Sequence, residues 1–464
     1  MERKSLWTNY DNAQREALEK VNLLYRQCLD EGKTERECVS LTIRMAKENG
    51  YKDLKKLIAD GTKINIGDKV YIDYMGKSIA LFQIGKKPLE EGMNILGAHI
   101  DSPRLDVKQR PLYEEEEFAY LDTHYYGGIK KYQWVAMPLA LHGVVVRKDG
   151  TKEMIVVGEK QDDPVFVITD LLPHLDREKR DKPMDKFIDA EKMDLLIGNL
   201  AAEDQEKEAV KNGILHILKG QYNIEEDDFL SAEFEIVPAG ASRECGLDRS
   251  MIIGYGQDDR VCAFTSLFAM LEEKEVERTS CCLLVDKEEI GSVGASGMTS
   301  KFFENAVAEV MALTGAYSEL ALRRALANSK MLSSDVSAAF DPMFPEVYEK
   351  KNSAYFANGP VFNKYTGAGG KSRTNDANAE YIAELRKIME DNDVKFQTAE
   401  LGRIDAGGGG TIAYILAVYG MEVIDSGIAV LNMHAPWEVT SKADIYEAVK
   451  CYRAFLKAGF SDKV

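Results

Sequence analysis

Hydrophobic positions recur at helical spacing near the start of the chain. Residues 9–31 and 34–50 are rich in Leu, Arg and Glu in that period, which predicts two amphipathic helices. From Tyr71 to His99 the pattern shortens to β-type segments, and between Pro103 and about Ala239 its texture changes again. Strand-like stretches such as Trp134 to Arg147 and Met154 to Gly158 dominate there, separated by charged loops such as Asp176 to Asp185. From about Gly240 short apolar runs alternate with helical segments, among them Asp259 to Glu273, Asn375 to Glu390 and Lys442 to Lys457. Strands alternating with helices imply an α/β fold with a mostly parallel central sheet and flanking helices. The simplest partition is one α/β domain built from 1–102 and 240–464, interrupted by a β-rich insertion over 103–239. The chain shows no internal repeat and no low-complexity tract.

Composition narrows the function classes. At 464 residues the chain is long enough for two domains, and 45% hydrophobic content is that of a globular protein. A net charge of -18 argues against nucleic acid and against an anionic membrane surface as partners. Met1 to Lys20 lacks the apolar core of a signal peptide, and no apolar run reaches membrane-spanning length. Seven cysteines is an odd count, and Cys281-Cys282 lie side by side in an apolar run. In a strand they would face opposite ways, so buried reduced thiols are expected, as in a cytoplasmic enzyme. No CxxC pair suggests a thiolate zinc site.

The chemistry sits where apolar runs stop. Asn94-Ile-Leu-Gly-Ala ends in His99-Ile-Asp101, and Ser280 to Val285 ends in Asp286-Lys-Glu288-Glu289. Met331-Leu-Ser-Ser ends in Asp335, Ile428 to Met433 ends in His434, and Gln257-Asp258-Asp259-Arg260 opens a helical run. Open α/β sheets bind ligands beyond the carboxyl ends of their strands. Imidazoles and carboxylates delivered to one such edge suit zinc or a similar divalent ion.

Each residue also has a plainer explanation. A single histidine after a strand is commonly structural, although Asp101 is placed to accept a hydrogen bond from a metal-bound His99 and so fix its tautomer. Asp258 and Asp259 are ordinary helix-capping residues, or Asp258 bridges two ions. Glu288-Glu289 is an exposed charged loop, or one carboxylate binds metal while its neighbour takes a proton from bound water. Asp335 is a strand-end turn residue or a ligand. Arg403-Ile-Asp405-Ala-Gly407-Gly-Gly-Gly410 lacks the Gly-Lys-Ser/Thr of a phosphate loop. It is a plain tight turn, or a substrate-facing one in which Asp405 and Gly407 touch a bound peptide.

Together, Gly97-Ala-His99-Ile-Asp101-Ser-Pro-Arg-Leu, Gln257-Asp258-Asp259-Arg260, Glu288-Glu289-Ile-Gly, Ser334-Asp335-Val and Met433-His434 resemble the aspartyl aminopeptidase and vacuolar aminopeptidase I family. Those proteins are dinuclear zinc exopeptidases, and the motifs occur in the family's order across nearly the whole chain. The resemblance implies one divalent ion on His99, Asp258 and Asp335, and a second on Glu289, His434 and the shared Asp258, with Glu288 as general base. Zinc is the expected metal, with cobalt and manganese as alternatives. Three carboxylates and one hydroxide would offset the four positive charges of two ions. It further implies removal of single N-terminal residues from peptides, and dimerisation through the insertion. A tetrahedral homododecamer is the implied assembly, in which a histidine from the insertion reaches a neighbouring subunit's site. In Ile168-Thr-Asp-Leu-Leu-Pro-His174-Leu, His174 is the local counterpart, or else an exposed loop residue.

One departure concerns specificity. Aspartyl-selective relatives carry a lysine shortly after Gly-Pro-Val. Here Gly359-Pro-Val-Phe-Asn363-Lys364 places asparagine there and Lys364 one step later, and a one-residue slip in a strand reverses the facing. An acidic and a neutral N-terminal preference both stay open. Related ligand sets also serve dinuclear carboxypeptidases and deacylases, which need a cationic clamp such as Arg260 or Arg403. A non-catalytic shell is the reading from a different class, and an intact Glu288 speaks against it.

Overall fold

The computed structural model describes residues 4–203, 207–367 and 369–460. Packing divides the chain into two units. One runs up to Asp101, takes up again over Ser242–Met433 and resumes at Glu438; the other is Ser102–Ala241 with the short piece His434–Trp437.

The first unit is built on a nine-stranded sheet. Its order is 52–53, 69–74, 78–83, 280–285, 94–99, 330–333, 422–427, 361–363 and 397–398. The four strands at its heart, Ser280–Val285, Asn94–His99, Lys330–Ser333 and Glu422–Gly427, run parallel. Period-two alternation in these strands feeds two separate cores. Leu96, Ala98, Cys282 and Leu284 join one cluster, while Ile95, Cys281, Leu283 and Val285 join the other. Cys281 and Cys282 are buried free thiols, as the alternation predicts. The helices Asn12–Glu31 and Glu35–Glu48 each open with a capping box, from Asp11 and from Thr34. The helix Lys442–Lys457 spans the residues predicted for it, and Asn375 to Glu390 is realised as Ala379–Asp391.

A second, five-stranded sheet was not anticipated. It orders 243–245, 251–254, 438–441, 429–431 and 337–338. Its strands are two to four residues long, too short to leave a readable period. This corrects the placement of the Ile428 to Met433 run. The strand there is Ala429–Leu431, antiparallel to Glu438–Ser441, and belongs to the small sheet instead of the central parallel one. Gly427 makes the crossing, because a Cβ at that position would collide with the Asp335 carbonyl.

In the second unit six strands follow the order 152–157, 139–146, 232–238, 104–115, 118–126 and 195–198, each pairing antiparallel. Trp134 to Arg147 opens at the end of a 3-10 turn over Lys131–Gln133, and only Leu139–Val146 of it is strand.

Candidate metal centre

Three adjacent strands deliver the site. Val285 pairs with His99, and Gly97 pairs with Ser333, so the ends of 280–285, 94–99 and 330–333 lie side by side. The chain leaves them as Asp286-Lys-Glu288-Glu289, His99-Ile-Asp101 and Ser334-Asp335. Asp258 arrives from the small sheet through Gly256, whose positive φ of 69° turns strand 251–254 into the helix Gln257–Glu272.

The side chains converge on the His99 imidazole, which is buried. Its Nε2 lies 3.2 Å from Asp258 Oδ1 and 3.9 Å from both Glu288 Oε2 and Asp335 Oδ1. His99, Asp258 and Asp335 bring donor atoms within 4.8 Å of one another, as do His99, Glu288 and Glu289. Mixed imidazole and carboxylate donors at that spacing fit a divalent ion of the zinc type. Asp258 and Asp259 do not cap the helix. Both have non-helical backbone angles and their shared peptide is cis, while the Asp259 carboxylate accepts from the His99 amide at 3.3 Å.

Asp101 organises the far side. The His99 Nδ1 lies 3.0 Å from the Asp101 carbonyl and 3.3 Å from its Oδ1. The two carboxylate oxygens of Asp101 also accept the backbone amides of Glu288 and Glu289, each at 3.1 Å. The turn they hold starts at Lys287, in the left-handed region at φ 71°, and closes at Gly291. Glu438 similarly accepts the Asp258 amide at 3.0 Å, and its carbonyl accepts from Gln257 at 2.6 Å. Glu438 escaped the sequence reading because a glutamate at a strand start carries no distinguishing signal.

The electrostatics ask for positive charge. Burial alone would lower the His99 pKa, but hydrogen bonds to Asp101 and Asp258 and the nearby Glu288 charge outweigh it and raise it well above the ordinary value. Burial, with neighbouring carboxylates adding to it, holds Asp259 and Asp335 well above the carboxylate range. A cluster that draws protons this strongly is one in which divalent cations take the protons' place.

Residues 28–456 match the family model described as aminopeptidase I zinc metalloprotease (M18). The chain belongs to the M18 family. A probable M18 family aminopeptidase 1 of Clostridium acetobutylicum is 58% identical over 456 residues, covering 98% of each chain. The crystal structure of an M18 aminopeptidase from Thermotoga maritima superposes with a TM-score of 0.94 at 43% identity, covering 98% of this chain and 99% of that one. The S. cerevisiae mApe1 dodecamer, at 21% identity and a TM-score of 0.76 over 97% of each chain, shares the fold. This M18 chain is thus an aminopeptidase, a zinc metallopeptidase with a mixed α/β fold of several sheets.

The remaining candidates of the M18 chain fall in several places. His434 has a positive φ of 65° and opens the turn 434–437, which groups with the second unit; there its Nδ1 is 2.8 Å from the Gly128 carbonyl. His174 lies in an exposed turn of the second unit and is in none of the metal-holding groups found among the described residues. Asp405 and Gly407 line a cavity of about 190 Å³ with Lys371, Glu400 and Arg403. Lys364 is not among that cavity's lining residues, and its ammonium lies 3.8 Å from Asp376. Asn363 is buried, bonded by the Ser337 hydroxyl at 2.8 Å and to the Ala399 carbonyl at 2.9 Å. The glycine-rich segment leads into a helix of five residues, Ala413–Ala417.

Proposed function

We propose that the chain removes single residues from the free N-termini of peptides at a dinuclear centre. One ion would be held by His99, Asp258 and Asp335, and the other by Glu289, His434 and the shared Asp258. The observation that carries this reading is the approach of Asp258, Glu288 and Asp335 to a single imidazole nitrogen. Two bound divalent ions would acidify a water and polarise the peptide carbonyl. Glu288 takes the proton from that water and returns it to the leaving amine. Asp101 keeps the His99 Nδ1 protonated, so the Nε2 lone pair faces the metal, and through two amide hydrogen bonds it fixes Glu288 relative to Glu289.

Substrate contact is assigned to Asp405, Gly407 and Lys364, beside a cavity lined by both Lys371 and Arg403 and both Glu400 and Asp405. With charges of both signs there and Asp376 beside Lys364, a neutral N-terminal side chain is accommodated as readily as an acidic one. The inserted unit serves as the dimerisation domain of a tetrahedral dodecamer, the assembly size of the yeast mApe1 structure. His174 acts from a neighbouring subunit. Free cysteines throughout are in keeping with a cytoplasmic setting, and no described helix is long and apolar enough to cross a membrane.

The test is hydrolysis of aminoacyl-p-nitroanilides beside N-acetylated peptides, with Zn²⁺, Co²⁺ or Mn²⁺ and with chelator. Cleavage confined to free amines and abolished by chelator is expected, and the Asp/Glu to Leu/Met ratio reads the specificity. Turnover of blocked substrates by protein holding two ions would instead favour a deacylase. In Glu288→Gln both ions stay bound while activity falls at least about a hundredfold. His174→Phe lowers turnover more than metal content; unchanged hydrolysis would remove the neighbouring subunit from the mechanism.

A further inference from the structure

We propose that the inserted unit binds a small neutral amphiphile, a molecule with one aliphatic chain and an uncharged polar end, inside its barrel. The sheet closes on itself. Phe166 bridges Leu139 on strand 139–146, next to one end, and Val167 bridges Leu196 on strand 195–198 at the other, so residues 166–167 close a ring that leaves strand 152–157 outside it. The mouths of such barrels are recurrent ligand sites.

Within the unit lies a cavity of about 620 Å³, well inside the range of sites for drug-sized ligands. Strand residues Leu121, Leu141 and Ile155 line it, and Ile214 and Leu218 of the helix Ala209–Tyr222 face them. Among the described residues no charged side chain lines it. Asn199, Gln221 and Tyr222 are its polar side chains, all of them uncharged. A buried charge would have no partner there, which sets the ligand's chemistry.

The helix supplies a second, independent observation. It carries Ile214, Ile217 and Leu218 toward the sheet, yet Val210 alone of its residues is fully buried, and Ile217 keeps 46% of its surface. Apolar side chains aimed at unfilled space forgo the contacts that normally hold a helix to a sheet. An apolar guest restores those contacts. Gly198 leaves room for the helix side chains, since a Cβ there would lie 2.6 Å from Ile214 Cδ1.

The zinc-loaded full-length protein, titrated with the neutral probe N-phenyl-1-naphthylamine, is expected to show one saturable fluorescence site per chain, displaced by dodecanol. Ile155→Trp fills the cavity and weakens probe binding at least about tenfold. Met154→Trp, on the outward face of the same strand, leaves it unchanged. Leu218→Trp obstructs from the helix side should Ile155→Trp fail to fold. The proposal is overturned by an absent or non-saturable signal, or by equal effects of the inward and outward variants. It is also overturned if the probe binds only after dilution to dissociated chains, judged by light scattering, because a second copy would then occupy the cavity.

Discussion

The nine-stranded sheet and the barrel use the same two-residue alternation and put it to different ends. In the sheet, Ile95 and Leu96 point to opposite faces and each reaches a filled core. In the barrel, Ile155 points inward to open apolar space and Met154 outward, with 52% of its surface exposed. The filled sheet is a rigid base that holds Asp101, Glu288, Glu289, Asp335 and an imidazole at its strand ends against the mutual repulsion of the carboxylates. Among the described residues no charged side chain lines the barrel's cavity, which keeps space instead. Packing density thus sorts the two regions: one positions ionised groups, the other accommodates a guest.

That contrast can be broken first at the level of stability. Leu283→Ala in the filled core is expected to cost about 2–5 kcal/mol, whereas Ile155→Ala, beside space already open, costs less than about 2 kcal/mol. Urea unfolding of the two variants measures the gap, and equal losses would mean the barrel is packed in solution. Asp101→Asn addresses the strand ends. The carboxamide offers one acceptor oxygen where two amides and an imidazole compete, so zinc affinity should fall about 10- to 100-fold. Metal content at graded free zinc reads this directly, and activity recovered at high zinc would separate positioning from catalysis.

The smallest effect concerns pH. Asp425 stands on the central strand Glu422–Gly427, accepts from the Thr411 hydroxyl at 2.5 Å, and is pushed up to about 7 by burial, with the Glu288 charge adding. Asp444, also buried, is likewise pushed up to about 7. An acid held above its unfolded value binds more protons when folded, so stability falls as pH rises from about 4 to 7 and is constant below that window. Asp425→Asn should flatten the slope by about 1 kcal/mol per pH unit, leaving the share of Asp444. Urea midpoints at pH 5 and pH 7 test it, and an unchanged slope would place Asp425 in the ionised form throughout.

Much of this was legible in the chain before any coordinates, and the reasons are physical. His99, Glu288 and Asp335 each end an apolar run, and a buried parallel strand is one of the strongest sequence signals. The helix Lys442–Lys457 was legible from its period and its charged ends. Asp101 was visible as a partner for His99, but its hold on two amides depends on how the Glu288 turn folds back, which no local pattern encodes. The small sheet stayed hidden because three- and four-residue strands give no period, and the His434 run was drawn into the wrong sheet for that reason. Barrel closure rests on two isolated bridges, at Phe166 and Val167, and pairings of that size leave no trace in composition.

The order of strands around His99 has a consequence for how the protein is made. Strand 94–99 is flanked by 280–285 and 330–333, so its neighbours are synthesised long after it. Asp258 is held by Glu438, later still. A growing chain on the ribosome therefore carries its histidine for most of translation without the carboxylates that make it useful. Hydrolytic competence therefore waits at least until Glu438 has been made, and a chain terminated before it carries the histidine without the contact that holds Asp258.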